Sequence, residues 1–316
     1  MKKTMDALWP VIGLCVVGVA SWLLLKELRG LAWSDVEAGL KAIAPSRWAL
    51  AILSTLLAYS ALAWYDQIAL RHLGRKLGIG FIALVSFTTY ALSHNIGASV
   101  FSGAVVRYRA YSTRGFSAAE VGLLVAFCSF TFTLGCVMLG GIALVLRPEI
   151  AMRFAGLPSW SGLAIGNLML AAVALYGVGS LLHFKPLKLG SFLLVYPRPP
   201  VAARQFLAGP LELIGAAGII YFALPDAANP GFVTVLGIFL ASFSLALLSH
   251  APGGLGVLEL SFVTAMPEAP KAQIIAALLA FRLLYLILPL AFALVVVALY
   301  ERRNIAALLR PSQGGG

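Results

Sequence analysis

The chain has 316 residues, of which 61% are hydrophobic and only 11% charged, and its formal net charge is +11. This composition excludes a soluble globular protein, and several apolar stretches reach the roughly 20 residues that a helix needs to cross a bilayer. The apolar runs are continuous rather than alternating, which also excludes a transmembrane β-barrel. An excess of Lys and Arg on cytoplasmic loops explains the positive charge, so we expect no nucleic-acid partner.

Six apolar runs predict membrane-spanning helices in an all-α polytopic membrane protein, with one integral membrane domain over residues 1–316. In chain order they cover about 9–25, 49–70, 118–146, 162–182, 204–224 and 272–300. The first run is similar to a signal peptide, but its length and the later spans favour an uncleaved helix. Ser117 and Glu120 form a capping-box pattern at the start of the third helix, and Pro289 predicts a kink in the last.

Two further apolar regions, about 81–106 and 231–266, are interrupted in the middle by "SHNIG" (93–97) and "SHAPGG" (249–254). The segments "SFTTYALSHNIG" and "SFSLALLSHAPG" that lead into these breaks align without a gap at an offset of 156 residues and are identical at six of twelve positions. Apolar bias does not readily produce a matching Ser-His-x-x-Gly, so we predict an internal duplication. Its first repeat covers about 49–146 and its second about 204–300.

The distribution of charge predicts the orientation of the chain. With the N-terminus and the C-terminus in the cytoplasm and each broken region returning as a hairpin, 15 of the 23 Lys and Arg residues are cytoplasmic and seven are external. The first hairpin then enters from the cytoplasm and the second from outside. Oppositely oriented hairpins are typical of inverted-repeat transporters.

Helix breaks inside a membrane require a reason, because unsatisfied backbone groups are costly in hydrocarbon. A half-helix N-terminus at membrane depth binds anions, and glycines allow the backbone to approach a ligand. We therefore predict a headgroup site where the two breaks face each other near the bilayer midplane. Its predicted substrate-binding residues are His94, Asn95, Gly97, Ser99, Arg107, His250, Gly253, Gly254, Gly256, Glu259 and Arg282. The alternatives are a simple Pro/Gly kink with packing glycines, and histidines that either cap backbone groups or relay protons.

Charged residues within the apolar runs need partners. Arg282 lies deep in the last span, and Glu259 is its first candidate partner, with Glu212 the second. The pair is either purely structural or part of a clamp in which arginine binds a lipid phosphate. Asp66 and Arg71 are expected at the interface. Arg107, Arg109 and Arg114 predict a cytoplasmic basic patch that binds anionic headgroups or serves only as a topology signal.

The sequence lacks the motifs that are typical of several enzyme classes. No Walker A motif, His-Glu-x-x-His or dinucleotide fingerprint occurs, and the polar loops are too short for a catalytic domain. Cys15, Cys128 and Cys136 lie in apolar runs without metal-type spacing, so we interpret them as small apolar residues. We expect no cofactor, no metal and no enzymatic activity in this chain.

Three segments, "SHNIGASVFSGAVVRYRAYSTRGFS" (93–117), "AFCSFTFTLG" (126–135) and "SHAPGGLGVLE" (249–259), resemble the lysylphosphatidylglycerol synthase transmembrane family. This is the flippase portion of the multiple peptide resistance factor, and the resemblance extends over about 45–300. In that family a cytosolic domain transfers an amino acid to phosphatidylglycerol, and the membrane part moves the product to the outer leaflet. Masking anionic lipid in this way confers resistance to cationic antimicrobial peptides. This sequence ends at "ERRNIAALLRPSQGGG", where full-length members continue, so the synthase activity is not carried over.

The resemblance implies a bacterial inner-membrane flippase for a phosphate-bearing lipid. The alternative is a non-transporting membrane subunit that anchors a separate cytosolic synthase, and an intramembrane enzyme is a weaker third hypothesis. A flippase requires a polar interior that reaches both breaks, whereas an anchor requires only packed helices and a partner surface.

Overall fold

The computed structural model describes residues 33–96, 99–184, 187–189, 192–194, 196–249 and 254–308. The predicted first span at about 9–25 lies outside these residues, as do Cys15, Gly97, His250 and Gly253. Of Ser99 only the backbone is described.

The described residues form a helical bundle with one short β-hairpin. Its helices are α1 (Trp33–Lys41), α2 (Pro45–His72), α3 (Ile79–Ile96), α4 (Ser99–Ser112), α5 (Ala118–Leu146), α6 (Glu149–Ala155), α7 (Ser159–Leu181), α8 (Pro199–Ala223), α9 (Phe232–Leu248), α10 (Val257–Ala265), α11 (Lys271–Phe281) and α12 (Leu288–Leu308). A π-helix, Arg282–Ile287, joins α11 to α12 and is called the π segment below. Strands β1 (Leu187–Leu189) and β2 (Phe192–Leu194) pair antiparallel in the loop before α8, so the all-α prediction missed this small hairpin.

Five of the six predicted spans are helices long and apolar enough to cross a membrane. They are Pro45–His72, Ala118–Leu146, Ser159–Leu181, Pro199–Ala223 and Lys271–Leu299. The start of α5 is the predicted capping box: the Ser117 hydroxyl accepts from Glu120 N at 3.2 Å, and Glu120 Oε2 accepts from Ser117 N at 2.9 Å. Both α2 and α8 begin with proline. Proline is suited to this position because an N–H in the first turn of a helix has no acceptor within the helix.

The outer surface of the bundle is apolar, as a lipid environment requires. Large side chains with more than half of their area exposed include Leu53 of α2, Leu123 of α5, Leu168 of α7 and Phe292 of α12. A soluble protein rarely exposes a continuous apolar surface of this kind. The chain is therefore a multi-pass membrane protein whose buried core is surrounded by a lipid-facing layer.

One order of elements occurs twice along the chain. A long helix, a second helix, a shorter helix and another long helical stretch appear as α2–α5 and again as α8–α12. The helices that open the two sets, α2 and α8, pack directly against each other. Close approach elsewhere in the core depends on small residues: a β-carbon at Gly135 of α5 would lie 2.6 Å from the carbonyl carbon of Gly209 in α8. This order fits the predicted repeats at about 49–146 and 204–300, whose relative orientation stays a prediction.

Candidate functional site

The second predicted helix break is present. Of the first, residues 93–96 lie within α3, and residue 97 lies outside the described residues. In the first region α3 ends at Ile96 and α4 begins at Ser99, and in the second α9 ends at Leu248 and α10 begins at Val257. The second break contains two residues with left-handed backbone, Gly254 (φ +66°) and Gly256 (φ +77°). Only glycine adopts this conformation without strain, which explains the residue type. Valine at Gly254 would be strained for the same reason, so this substitution cannot test whether the backbone contacts a ligand.

A buried ion pair lies beside the first break. The Arg107 guanidinium of α4 donates from Nη2 to Asp66 Oδ1 of α2 at 2.7 Å and from Nε to Oδ2 at 3.3 Å. Asp66 is fully buried and Arg107 is 3% exposed. The expectation that Arg107 belongs to an exposed basic patch is therefore wrong, because the two charges neutralise each other and can be buried together. The depth of Asp66 near the membrane interface stays a prediction.

Additional donors complete this ion pair. The Tyr111 hydroxyl donates to Asp66 Oδ2 at 3.0 Å, and the Cys128 thiol donates to Oδ1 at 3.4 Å. The Arg107 guanidinium also lies 4.8 Å from the ring centroid of Tyr90. Cys128, predicted as a small apolar residue, therefore has a polar contact as well. The signal that could have found this cluster is the carboxylate within the apolar α2, since an intramembrane charge requires a partner.

The second break has its own ion pair, with the partner that the sequence ranked first. Arg282 Nε donates to Glu259 Oε1 at 2.6 Å, and Nη2 lies 2.5 Å from the same oxygen. The other Glu259 oxygen accepts from Gly256 N at 2.9 Å at the start of α10, and Arg282 Nη2 reaches Gly254 O at 3.4 Å. The N-terminus of α10 thus already binds a carboxylate of the protein, and the Arg282 charge is balanced. An open anion site formed by that helix end alone does not fit this geometry.

Glu212, the second candidate partner, has a different contact. Its Oε1 accepts a hydrogen bond from the Tyr285 hydroxyl at 2.6 Å. Tyr285 lies in the π segment, one turn after Arg282. Sequence reasoning did not identify Tyr285 as a site residue, because tyrosine in an apolar helix is usually a packing residue.

The π segment connects the two breaks. Its first residue, Arg282, binds Glu259 beside the second break. The Tyr285 ring stacks on His94 beside the first break, with centroids 5.4 Å apart, and Leu286 O accepts from Asn95 Nδ2 at 3.2 Å. Pro289 was predicted to kink this span, and its missing N–H leaves the Tyr285 carbonyl, four residues earlier, without a helical donor. That carbonyl accepts from the Tyr59 hydroxyl at 2.9 Å instead.

Within the described part of the chain, four polar atoms of α3 are buried without a hydrogen-bond partner. They are Ser86 Oγ, Thr88 Oγ1, Thr89 Oγ1 and His94 Nδ1. Elsewhere in the bundle, hydroxyls such as those of Thr55 and Ser242 donate to the carbonyl four residues earlier. A buried polar group without a partner needs an explanation, and an absent water or ligand is a common one. The unpartnered Nδ1 also argues against a simple capping role for His94 through that atom.

Thr89, which carries one of these unpartnered atoms, lies close to the ion pair of Arg107 and Asp66. A β-carbon built on Gly103 of α4 would lie 3.3 Å from Thr89 Cγ2 and 3.5 Å from Arg107 Nη1, so Thr89 and Arg107 are neighbours. The arrangement offers hydrogen-bond donors and acceptors, together with matched positive and negative charges, inside an apolar bundle. Among the residues described, no group of three or more His, Cys, Asp or Glu side chains could hold a metal ion.

Comparison with known proteins yields one family and several relatives. A family model described as the lysylphosphatidylglycerol synthase TM region matches residues 11–293. The uncharacterized Synechocystis protein slr0712 is 32% identical over 293 residues, covering 92% of this chain and 90% of that protein. The Escherichia coli inner membrane protein YbhN is 30% identical over 286 residues and 88% of each chain. The Staphylococcus aureus phosphatidylglycerol lysyltransferase is 25% identical over 285 residues, which are 86% of this chain but only 32% of that enzyme.

Proposed function

Because the chain belongs to the lysylphosphatidylglycerol synthase transmembrane-region family, we propose that it is a flippase of the bacterial inner membrane. Its cargo in this proposal is a phosphate-bearing lipid, of which an aminoacylated phosphatidylglycerol is one candidate. The match covers the membrane region of the family and about a third of the lysyltransferase, so the proposal concerns lipid movement and not lipid synthesis.

The observation that carries this proposal is the set of unpartnered polar atoms on α3, of which Thr89 lies next to Arg107 and the His94 ring stacks on Tyr285 of the π segment. A protein that only anchors a partner gains nothing from hydroxyls that lack hydrogen bonds inside its core. A flippase needs them, because a headgroup that crosses the hydrocarbon must exchange its water contacts for protein contacts. Thr89 of α3 provides such a contact next to Arg107.

The two ion pairs suggest how the headgroup is recognised. Each arginine is paired with a carboxylate, so a lipid that carries a single negative charge would have to displace that carboxylate. A headgroup with both a phosphate and an ammonium group can instead exchange with a pair, the phosphate binding Arg107 or Arg282 and the ammonium binding Asp66 or Glu259. In this proposal His94 and Asn95 contribute polar contacts, and Gly254 and Gly256 shape the turn. Gly97, Ser99, His250 and Gly253 remain predicted contributors.

Transport by an inverted repeat would proceed by alternating access, with one repeat moving against the other around a central site. The proposed orientation places both termini in the cytoplasm and opens the two hairpins to opposite sides. The π segment, which contacts both breaks, is suited to transmit such movement because its hydrogen bonding already departs from the α-helical pattern.

Cysteine labelling tests the orientation. In a variant without Cys15, Cys128 and Cys136, single cysteines at Ala227 and Pro267 are expected to react with a membrane-impermeant maleimide in intact bacteria. A cysteine at Thr113, which is also exposed, should react only after the membrane is permeabilised. Labelling at Thr113 in intact cells would reverse the proposed orientation of the first hairpin.

Lipid transport is tested with Thr89→Val. Removing a hydroxyl that has no partner should leave the stability unchanged or slightly raised. The loss of a contact to a charged headgroup should cost about 1.5 kcal/mol, which corresponds to roughly tenfold slower transport. The measurement is movement of fluorescent phosphatidylglycerol, with and without a lysyl group, between leaflets of proteoliposomes. The matched control is Thr55→Val, whose hydroxyl bonds only to its own helix. Unchanged transport in Thr89→Val would remove the supporting observation, and a wild type without transport would favour the membrane-anchor alternative.

A further inference from the structure

Glu212 is a buried carboxyl group that the proposed headgroup site does not use. It lies in the middle of α8 and is 2% exposed. One of its oxygens accepts from the Tyr285 hydroxyl at 2.6 Å, and the other, Oε2, is buried and has no hydrogen-bond partner among the residues that the structure describes. The two other carboxylates in the described membrane core, Asp66 and Glu259, each form a salt bridge with an arginine, and Glu212 forms none.

The neighbours of Glu212 do not compensate a negative charge. Among the described residues, the titratable side chains that interact with it are Tyr59 and Tyr65 of α2, Cys136 of α5 and Tyr285 of the π segment. Three of these are phenols and one is a thiol, and none is a cation. An ionised carboxylate in hydrocarbon without a cation is strongly unfavourable, and such a group takes up a proton instead. The phenolic hydroxyls of Tyr285 and Tyr65 stabilise the ionised form only in part.

The contacts of Tyr285 connect Glu212 to the breaks. Its hydroxyl binds Glu212, its carbonyl accepts from Tyr59, and its ring stacks on His94. A change in the charge of Glu212 alters the strength of the Tyr285 hydrogen bond, because a hydrogen bond to a carboxylate is roughly twice as strong as one to a neutral acid. The π segment that contains Tyr285 also contains Arg282, which binds Glu259 at the second break. A shift of this segment would therefore alter contacts at both breaks.

We propose that Glu212 is a proton-binding site and that release and uptake of its proton drive the lipid transport proposed above. In the conformation described here the carboxyl group is neutral. In the alternate conformation the proton leaves to water, the carboxylate remains hydrogen-bonded to Tyr285, and the π segment shifts relative to α8. Each transport cycle then moves a proton as well as a lipid. This inference rests on the proposed function for its transport part, but the proton site itself does not depend on it.

Infrared spectroscopy tests the proton site directly. Purified protein in liposomes at neutral pH should show the carbonyl stretch of a protonated carboxylic acid, and Glu212→Gln should lose that band. Glu268→Gln, which alters an exposed carboxylate in a loop, is the control and should not affect it. Tyr285→Phe keeps the ring but removes the hydrogen bond, so the band should persist to higher pH. An ionised Glu212 at neutral pH would overturn the proposal.

Transport under an imposed pH gradient tests the coupling. Wild-type protein should move lipid faster with the gradient in one direction than without it, and Glu212→Gln, which is permanently neutral and of the same shape, should lose this response. A wild-type transport rate that does not change with the pH gradient would overturn the coupling, even if the infrared band of the protonated carboxylic acid is present. Absence of any transport by the wild type would overturn the flippase proposal and the coupling together, while the infrared result would still decide whether Glu212 binds a proton.

Discussion

Arg282→Met is expected to lower the stability of the folded protein by about 3–5 kcal/mol, because it leaves Glu259 as a buried charge without its cation. The side chains of Arg282 and Glu259 are 10% and 11% exposed, so solvent screens the pair little. Methionine preserves much of the volume and is compatible with the apolar surroundings, so the loss reports the charge and not a cavity. The measurement is thermal unfolding in detergent together with the yield of monodisperse protein.

A second substitution identifies the partner. Arg282→Met combined with Glu259→Gln removes both charges, and the glutamine oxygen can still accept from Gly256 N at the start of α10. This double variant should recover most of the lost stability. Arg282→Met combined with Glu212→Gln should recover none of it, because Glu212 binds Tyr285 instead. The opposite ranking of the two double variants would show that the pairing is wrong.

Arg107→Met is expected to have an effect at least as large, again about 3–5 kcal/mol or the complete loss of folded protein. The side chains of Arg107 and Asp66 are 4% and 0% exposed, and Asp66 would keep only the Tyr111 hydroxyl and the Cys128 thiol as donors. A single arginine removed from a cytoplasmic basic patch would change stability by less than 1 kcal/mol. Thermal unfolding of the purified variant distinguishes these outcomes.

Two further variants serve as controls for the Arg107 prediction. Adding Asp66→Asn to Arg107→Met removes the uncompensated charge and should restore much of the stability. Glu37→Gln breaks an exposed ion pair, in which the Glu37 side chain is 51% and the Lys41 side chain 75% exposed. This substitution should have almost no effect on stability. Equal effects of Arg107→Met and Glu37→Gln would contradict the buried pair.

Much of the architecture could be predicted because hydrocarbon imposes simple rules. A helix that crosses a bilayer must be long and apolar, which made five spans recognisable from local sequence. The breaks were visible because the polar pair Ser-His interrupts an apolar run and because the same Ser-His-x-x-Gly pattern occurs twice. The partner of Arg282 was predictable for a similar reason, since few carboxylates exist in the chain and Glu259 adjoins the second break.

Other parts of the site depend on contacts between distant residues. Asp66 and Arg107 are 41 positions apart in different helices, and each alone fits an interfacial position. The contact of Glu212 with Tyr285 joins residues 73 positions apart. The hydroxyls of Ser86, Thr88 and Thr89 are ordinary in sequence, and only the packing around α3 leaves them without partners.

The sequence by itself therefore determined that this chain is a multi-pass helical membrane protein, because length and apolarity act locally. The tertiary structure decided which charges neutralise each other. It also placed the π segment between Glu259 on one side and His94 on the other. The physical reason is that burial of a charge depends on where its counter-charge lies in space, and spatial neighbours from different helices leave no periodic signal in the chain.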